Sequence, residues 1–259
     1  MTGGIVYPLR WIGQKLAAYL SRPRDTAHVM THHPQLLAAT LRKGDVLLIE
    51  GTSRFSTAIR YITQSTWSHA ALCIGDAPEA NGDPLAKCLI EADINEGVRV
   101  MPLRFYINWH TRICRPVGLT GPEIDKLVEY AKRRIGNQYD LRNVFDLARY
   151  LVRTPPVPDR YKRRLLSLGS GDPTRAICSS LIAAAFGSVR YPVLPDVEIA
   201  RAKGEHGHHH EREILHIRDS RLYAPRDFDV SPYFRIVKPS LQDGFDPHKL
   251  QWAQEADPG

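Results

Sequence analysis

The chain changes its hydrophobic period twice. Val46–Ile49 is an unbroken β-prone apolar run, entered from a turn and left at Gly51, which predicts a buried strand. "SHAALCIG" and "KCLIEADI" predict two more strands across the turn-rich segment Gly75–Pro84, and "GVRVMPL" and Thr111–Val117 follow them. Helical spacing brackets this middle. Ile5, Leu9, Ile12, Leu16 and Tyr19–Leu20 share one stripe, and "HHPQLLAATL" forms a second short helix. "SRFSTAIRYITQS" reads as a helix capped by Ser56, with Ile59 and Ile62 on one face. Pro122 opens a helix over Glu123–Ile135, with Lys132–Arg134 in its last turn and Gly136 beyond. "YDLRNVFDLARYLV" and "TRAICSSLIAAAF" predict two further helices, and "YFRIVKP" a closing strand. Helix-rich ends around a strand-rich middle predict an α+β chain. The expected organisation is an N-terminal helical extension over 1–42, one domain over 43–239 and a polar C-terminal tail over 240–259.

"TRAICSSLIAAAF" places Cys178, Ser179 and Ser180 at the mouth of a helix that is otherwise apolar. A buried helix has no need of that arrangement. A helix N-terminus presents unpaired N–H groups and partial positive charge, which favours thiolate over thiol. His69 opens a predicted strand, on one face with Ala71 and Cys73, and Glu91 interrupts the apolar run of the next. An imidazole can take the thiol proton and return it to a leaving group, while a carboxylate behind it fixes tautomer and orientation. Read singly, these residues have plain alternatives: a strand-end histidine tied to a carbonyl, a carboxylate turned to solvent. Spacing alone does not bring Cys178 to the other two.

"AICSSLIAAAF" resembles the catalytic-cysteine segment of the NlpC/P60 superfamily of papain-like hydrolases, where a "CSxL" begins a buried helix. The histidine of "WSHAALCIG" lies upstream of the cysteine, the order of the circularly permuted branch. "GDVLLIEGTSRFSTAIRYITQSTWSHAALCIGD" is similar to the start of the YiiX/YaeF-like permuted amidases, "LIEAD" to the strand with their third residue, and "GNQYDLRN" to a site-lining segment. The resemblance covers roughly Lys43 to Pro239. It implies a permuted papain-like domain, an antiparallel, barrel-like sheet packed on helices, with Cys178 as nucleophile, His69 as general base and acid, and Glu91 as the orienting residue, with Asp93 in reserve. The N–H groups of Cys178 and Ser179 become candidates for stabilising an oxyanion. Tyr139 either lines the cleft or caps the core, and Trp67 either walls the site or packs in the core. The implied activity is cleavage of an amide or ester, or acyl transfer, through an acyl-thioester. The alternatives are a peptidoglycan or peptide amidase, and a non-catalytic binding module that keeps the fold.

Charge and composition narrow the partners. The 259 residues carry a formal net charge of +7. The basic groups at Lys132–Arg134 and Arg160–Leu166 lack the interleaved aromatics that stack bases, so no nucleic acid is expected. The expected partner is a small-molecule, peptide or lipid acyl substrate, with peripheral membrane contact through the N-terminal stripe. No apolar run reaches bilayer length and the N-terminus does not read as a secretory signal, which favours a cytoplasmic location. The four cysteines form no CxxC pair, and "GEHGHHHEREILH", expected as an exposed loop over 205–216, matches no HExxH pattern. Neither metal nor cofactor is called for.

Overall fold

The structure is a computed structural model that describes residues 32–77, 83–93, 96–137, 177–203 and 209–244, with 246 and 248. The predicted N-terminal helix, Tyr139 with the helix expected after it, and most of the C-terminal tail lie outside these residues.

Six strands form one antiparallel sheet. In chain order they are β1 (Val46–Ile49), β2 (His69–Asp76), β3 (Lys87–Asp93), β4 (Gly97–Pro102), β5 (Thr111–Pro116) and, much later, a strand at Phe234–Val237. Their spatial order is β4-β3-β2-β1-β5 and then Phe234–Val237. β1 is central, pairing Val46 with Leu72 on one side and with Cys114 on the other. All four of its residues are buried, which is what an unbroken apolar run requires of a strand covered on both faces.

Alternation along β1 and β2 divides the core into two layers. Val46, Leu48, Ala70 and Leu72 face the first, and Leu47, Ile49, Ala71 and Cys73 the second. The second layer is closed by α1 (Pro34–Thr40), which buries Leu37 and Ala38, with Leu41 just beyond it. These residues fall inside the expected N-terminal extension, so the packed unit begins before residue 43. The first layer is closed by α3 (Gly121–Lys132) and α4 (Ile177–Ser188), which contribute Leu127, Val128, Leu181, Ile182 and Phe186. A Thr120–Glu123 capping box starts α3, and Gly136, at φ +84°, lies just past its end.

Two expectations differ from the structure. The helix after β1, α2 (Arg54–Thr63), is capped by Ser53 rather than Ser56. Ser53 holds extended backbone angles and its hydroxyl accepts the Ser56 N–H at 3.0 Å, so the helix starts three residues earlier. The His-rich segment is also not simply a loop. His209–His216 is strand β7, paired antiparallel with β6 (Asp196–Lys203) from Asp196↔His216 to Lys203↔His209. Period-two alternation in "DVEIARAK" and "HEREILH" lets the backbone close a ladder despite the polarity. After β7, a short helix α5 (Pro225–Val230) leads into β8 (Phe234–Val237).

The β1–α2 turn depends on Gly51. Its N–H donates to Ser68 Oγ at 2.8 Å, and a Cβ there would lie 2.9 Å from both Ser56 Cβ and Ser68 Oγ. Gly51→Ala is therefore expected to lower stability by about 1–3 kcal/mol. Urea unfolding reads this directly, and an unchanged midpoint would show that the turn relaxes freely.

Candidate active site

His69 is the first residue of β2 and Glu91 lies within the neighbouring β3, both on the layer closed by α1. Leu72 pairs with Ile90, so His69 lies two positions beyond the residue opposite Glu91, and the glutamate's length closes that diagonal. His69 Nε2 and Glu91 Oε2 are 2.7 Å apart. The ring's other nitrogen, Nδ1, is left for Cys178, which sits in the first turn of α4 and is buried there. Side-chain hydrogen bonding joins Cys178 and His69, so the structure brings together the three residues predicted from sequence.

Glu91 is only 1% exposed, and every donor around it is ordered. Arg99 stands directly opposite in the β3–β4 register and binds Oε1 through Nε at 2.9 Å and Nη2 at 2.8 Å. Tyr106, carried just past the turn Leu103–Phe105, donates its hydroxyl to Oε2. Burial alone would raise the Glu91 pKa, but His69, Tyr106 and Arg99 outweigh it and hold the carboxyl at about 2. Sequence reading passed over Arg99 and Tyr106. The hairpin spacing from Glu91 to Arg99 carried a signal for the first. Nothing local marked Tyr106, which reaches the site by tertiary packing.

Burial penalises charge on His69, yet the Cys178 thiolate and then Glu91 hold its pKa well above the ordinary 6.5. Burial likewise opposes the Cys178 thiolate, and His69, the Ala70 backbone N–H and the Ser179 hydroxyl overcome it, so the thiol pKa is lowered. Both shifts favour the thiolate–imidazolium form of the pair. The other three cysteines behave oppositely: burial pushes Cys73 to about 12 and raises Cys88 and Cys114. Among the four, Cys178 alone is shifted toward the thiolate.

The remaining candidates are distributed unequally. Ser179 is fully buried, its Oγ 3.9 Å from Cys178 Sγ. Asp93 pairs with Arg99 at 3.7 Å and accepts the Glu96 N–H at 3.0 Å, so Glu91 holds the place beside the histidine. Trp67 is buried and lines a neighbouring cavity instead, its Nε1 donating to Asp229 at 3.0 Å. The cleft at Cys178 has a volume of about 230 Å³, with Arg99, Asp93 and His69 at its polar side and Phe55, Ile59, Phe105 and Trp109 as an apolar wall. Among the described residues, no group of three or more His, Cys, Asp or Glu converges as a metal site.

Because the folded Glu91 pKa lies below its ordinary 4.5, the carboxylate contributes stability fully present above that value and lost as pH falls toward about 2. Glu91→Gln should flatten this acid limb and cost about 3–5 kcal/mol at neutral pH, since Arg99 and His69 lose a buried counter-charge. Urea midpoints measured across that pH range check both effects; parallel curves for the two proteins would contradict them.

Comparison with known proteins fits this geometry. Residues 40–150 match the profile of a family described as permuted papain-like amidase enzymes, YaeF/YiiX, C92 family. That segment contains His69, Glu91, Arg99 and Tyr106; Cys178 lies beyond it, so its place in the site rests on the geometry above. A crystal structure described as metalloprotein yiiX from Escherichia coli O157:H7 is 18% identical, with 76% of this chain and 96% of that one covered at a TM-score of 0.44. No curated protein matches. Over residues 40–150 the chain is similar to the permuted papain-like YaeF/YiiX amidases, and its antiparallel sheet carries the histidine upstream of the cysteine helix.

Proposed function

We propose that the protein is a cysteine hydrolase or acyltransferase that cleaves an amide or ester through an acyl-thioester on Cys178. The observation that carries this reading is the continuous contact from Cys178 through His69 to a fully buried, ionised Glu91. The family matched over residues 40–150, whose members are described as amidases, supports cysteine-hydrolase chemistry at a general level.

The Cys178 thiolate attacks the substrate carbonyl carbon, forming the C–S bond and moving the π electrons onto oxygen. The N–H groups in the first turn of a helix have no acceptor within it, and those of Cys178 and Ser179, in the first turn of α4, are the donors assigned to that oxyanion in this reading. Collapse of the tetrahedral adduct breaks the bond to the amine or alcohol, which leaves with the imidazolium proton of His69. The neutral imidazole then deprotonates water or an acceptor nucleophile, which attacks the thioester and returns the thiolate and imidazolium. Throughout, Glu91 holds Nε2 and keeps Nδ1 turned to sulfur. The apolar wall of Phe55, Ile59, Phe105 and Trp109 favours an acyl group with a hydrophobic body.

Incubation with p-nitrophenyl hexanoate and rapid acid quench should trap one acyl group on the peptide containing Cys178, read by mass spectrometry. Cys178→Ala should give none, and His69→Ala should slow acylation by about 10²–10⁴-fold. No adduct on Cys178 with either esters or anilides would reject the reading. The pH profile of kcat/KM should be bell-shaped: activity rises as Cys178 ionises, below the ordinary thiol range, and falls as pH passes the raised pKa of His69. An acid limb at an ordinary thiol pKa of about 8.5 would contradict the ion pair.

A further inference from the structure

Helix α2 separates two cavities. Its Phe55, Ser56 and Ile59 line the cleft at Cys178, while its Thr57 and Arg60, with the C-cap Gln64, line a second cavity of about 620 Å³. No residue lines both, and the second cavity takes no part in the chemistry above. Its volume falls within the range of about 300–1,000 Å³ typical of small-molecule sites.

Three arginines line this cavity. Arg60 comes from α2, Arg112 from β5 and Arg226 from α5, with His110 beside them. Two carboxylates share the space. Glu50 pairs with Arg60 and accepts from His110 Nδ1 at 2.8 Å. Asp229 takes Arg112 Nη1 at 2.7 and 2.9 Å and the Trp67 indole N–H. Three guanidiniums against two carboxylates leave one excess positive charge before His110 is counted. Arg226 carries that excess, for within this cavity its hydrogen bond goes to the Thr63 carbonyl, at 2.9 Å. Asp227 acts on it from the adjacent position but does not line the cavity.

The donors are also only partly used. The hydrogen bonds to Glu50, Asp229 and Thr63 all leave from Nη1, so Nε and Nη2 of each guanidinium make none of these contacts. Glu50 and Asp229 thus fix the arginines in place without consuming their forks. Trp67 adds a rigid floor, with the Arg112 guanidinium 4.9 Å from its ring centroid and the His110 ring 5.0 Å away. A concave surface with an excess charge and guanidinium N–H groups that these contacts among the described residues leave unused matches an oxyanion.

We propose that the cavity bounded by Arg60, Arg112, Arg226 and Trp67 is a binding site for a small-molecule oxyanion with two or more negative charges, of the phosphate or polycarboxylate class. It is separate from the catalytic cleft, and its occupation does not require Cys178.

Calorimetric titration of the full chain at fixed ionic strength, with pyrophosphate and in parallel with citrate, tests this. Saturable binding of one equivalent is expected. Pyrophosphate alone would mark the phosphate class, and citrate alone the carboxylate class. Arg226→Gln should weaken binding about tenfold, as expected for loss of one charge-assisted contact, and Arg226→Lys should recover part of the loss. Arg226 is exposed and outside the core, so the variant should keep the wild-type thermal midpoint, which serves as the folding control. Cys178→Ala should bind as tightly as wild type. No saturable binding of either anion would overturn the proposal and leave a structural ion-pair network. Equal affinity in Arg226→Gln, or loss of binding in Cys178→Ala, would place any bound anion elsewhere.

Discussion

One buried carboxylate organises the site. Glu91 is ionised in a place that opposes charge, and it stays so because Arg99, Tyr106 and His69 all donate to it. Each of those donors is set by a different part of the fold: the β3–β4 register, the turn after β4 and the start of β2. The consequence runs outward through the imidazole, which can hold a proton at Nδ1 only because Nε2 is anchored. A neutral amide at position 91 would orient the ring but would not stabilise its charge. The ionised carboxylate does both, and so favours a resting thiolate on Cys178.

The sheet makes this arrangement possible. A strand central to the sheet, buried on both faces, forces β2 to turn alternate residues toward two different layers. His69 belongs to the layer closed by α1, while the cysteine helix closes the other. Their meeting point is therefore the end of β2, where the strand stops dividing the layers and the mouth of α4 is within reach. This explains why Cys178 meets His69 from the first turn of its helix; one turn later, Leu181 and Ile182 pack with Ala70 and Leu72 in the core. It also explains the unequal fates of the cysteines, since at Cys73 and Cys114 burial outweighs the opposing charges of Lys87 and Arg112 and favours the thiol.

Much of this was legible in the sequence because it rests on local pattern. The strands at Val46–Ile49, His69–Asp76 and Lys87–Asp93 follow from β-prone runs and turn residues, and the order of His69 before Cys178 is visible in the chain itself. What the sequence hid depends on register and tertiary approach. Arg99 is a site residue only because it falls opposite Glu91, and Tyr106 because a short turn folds it back. Trp67, adjacent in sequence to the catalytic strand, points into the neighbouring cavity toward Asp229, a partner 162 residues away. Ser53 displaced Ser56 as the cap through a difference in backbone angle that composition does not encode. The histidines of 209–216 obscured a strand because their polarity dominated the weaker period-two signal.

The central claim is that Cys178 rests as a thiolate held by His69, and the rate of its alkylation tests this most directly. Site-resolved mass spectrometry can follow iodoacetamide modification of Cys178 across pH in the wild type and in His69→Ala. The account predicts fast modification that persists well below the ordinary thiol pKa of about 8.5 and disappears in the variant. Modification that follows an ordinary thiol titration, with the same rate in both proteins, would contradict it.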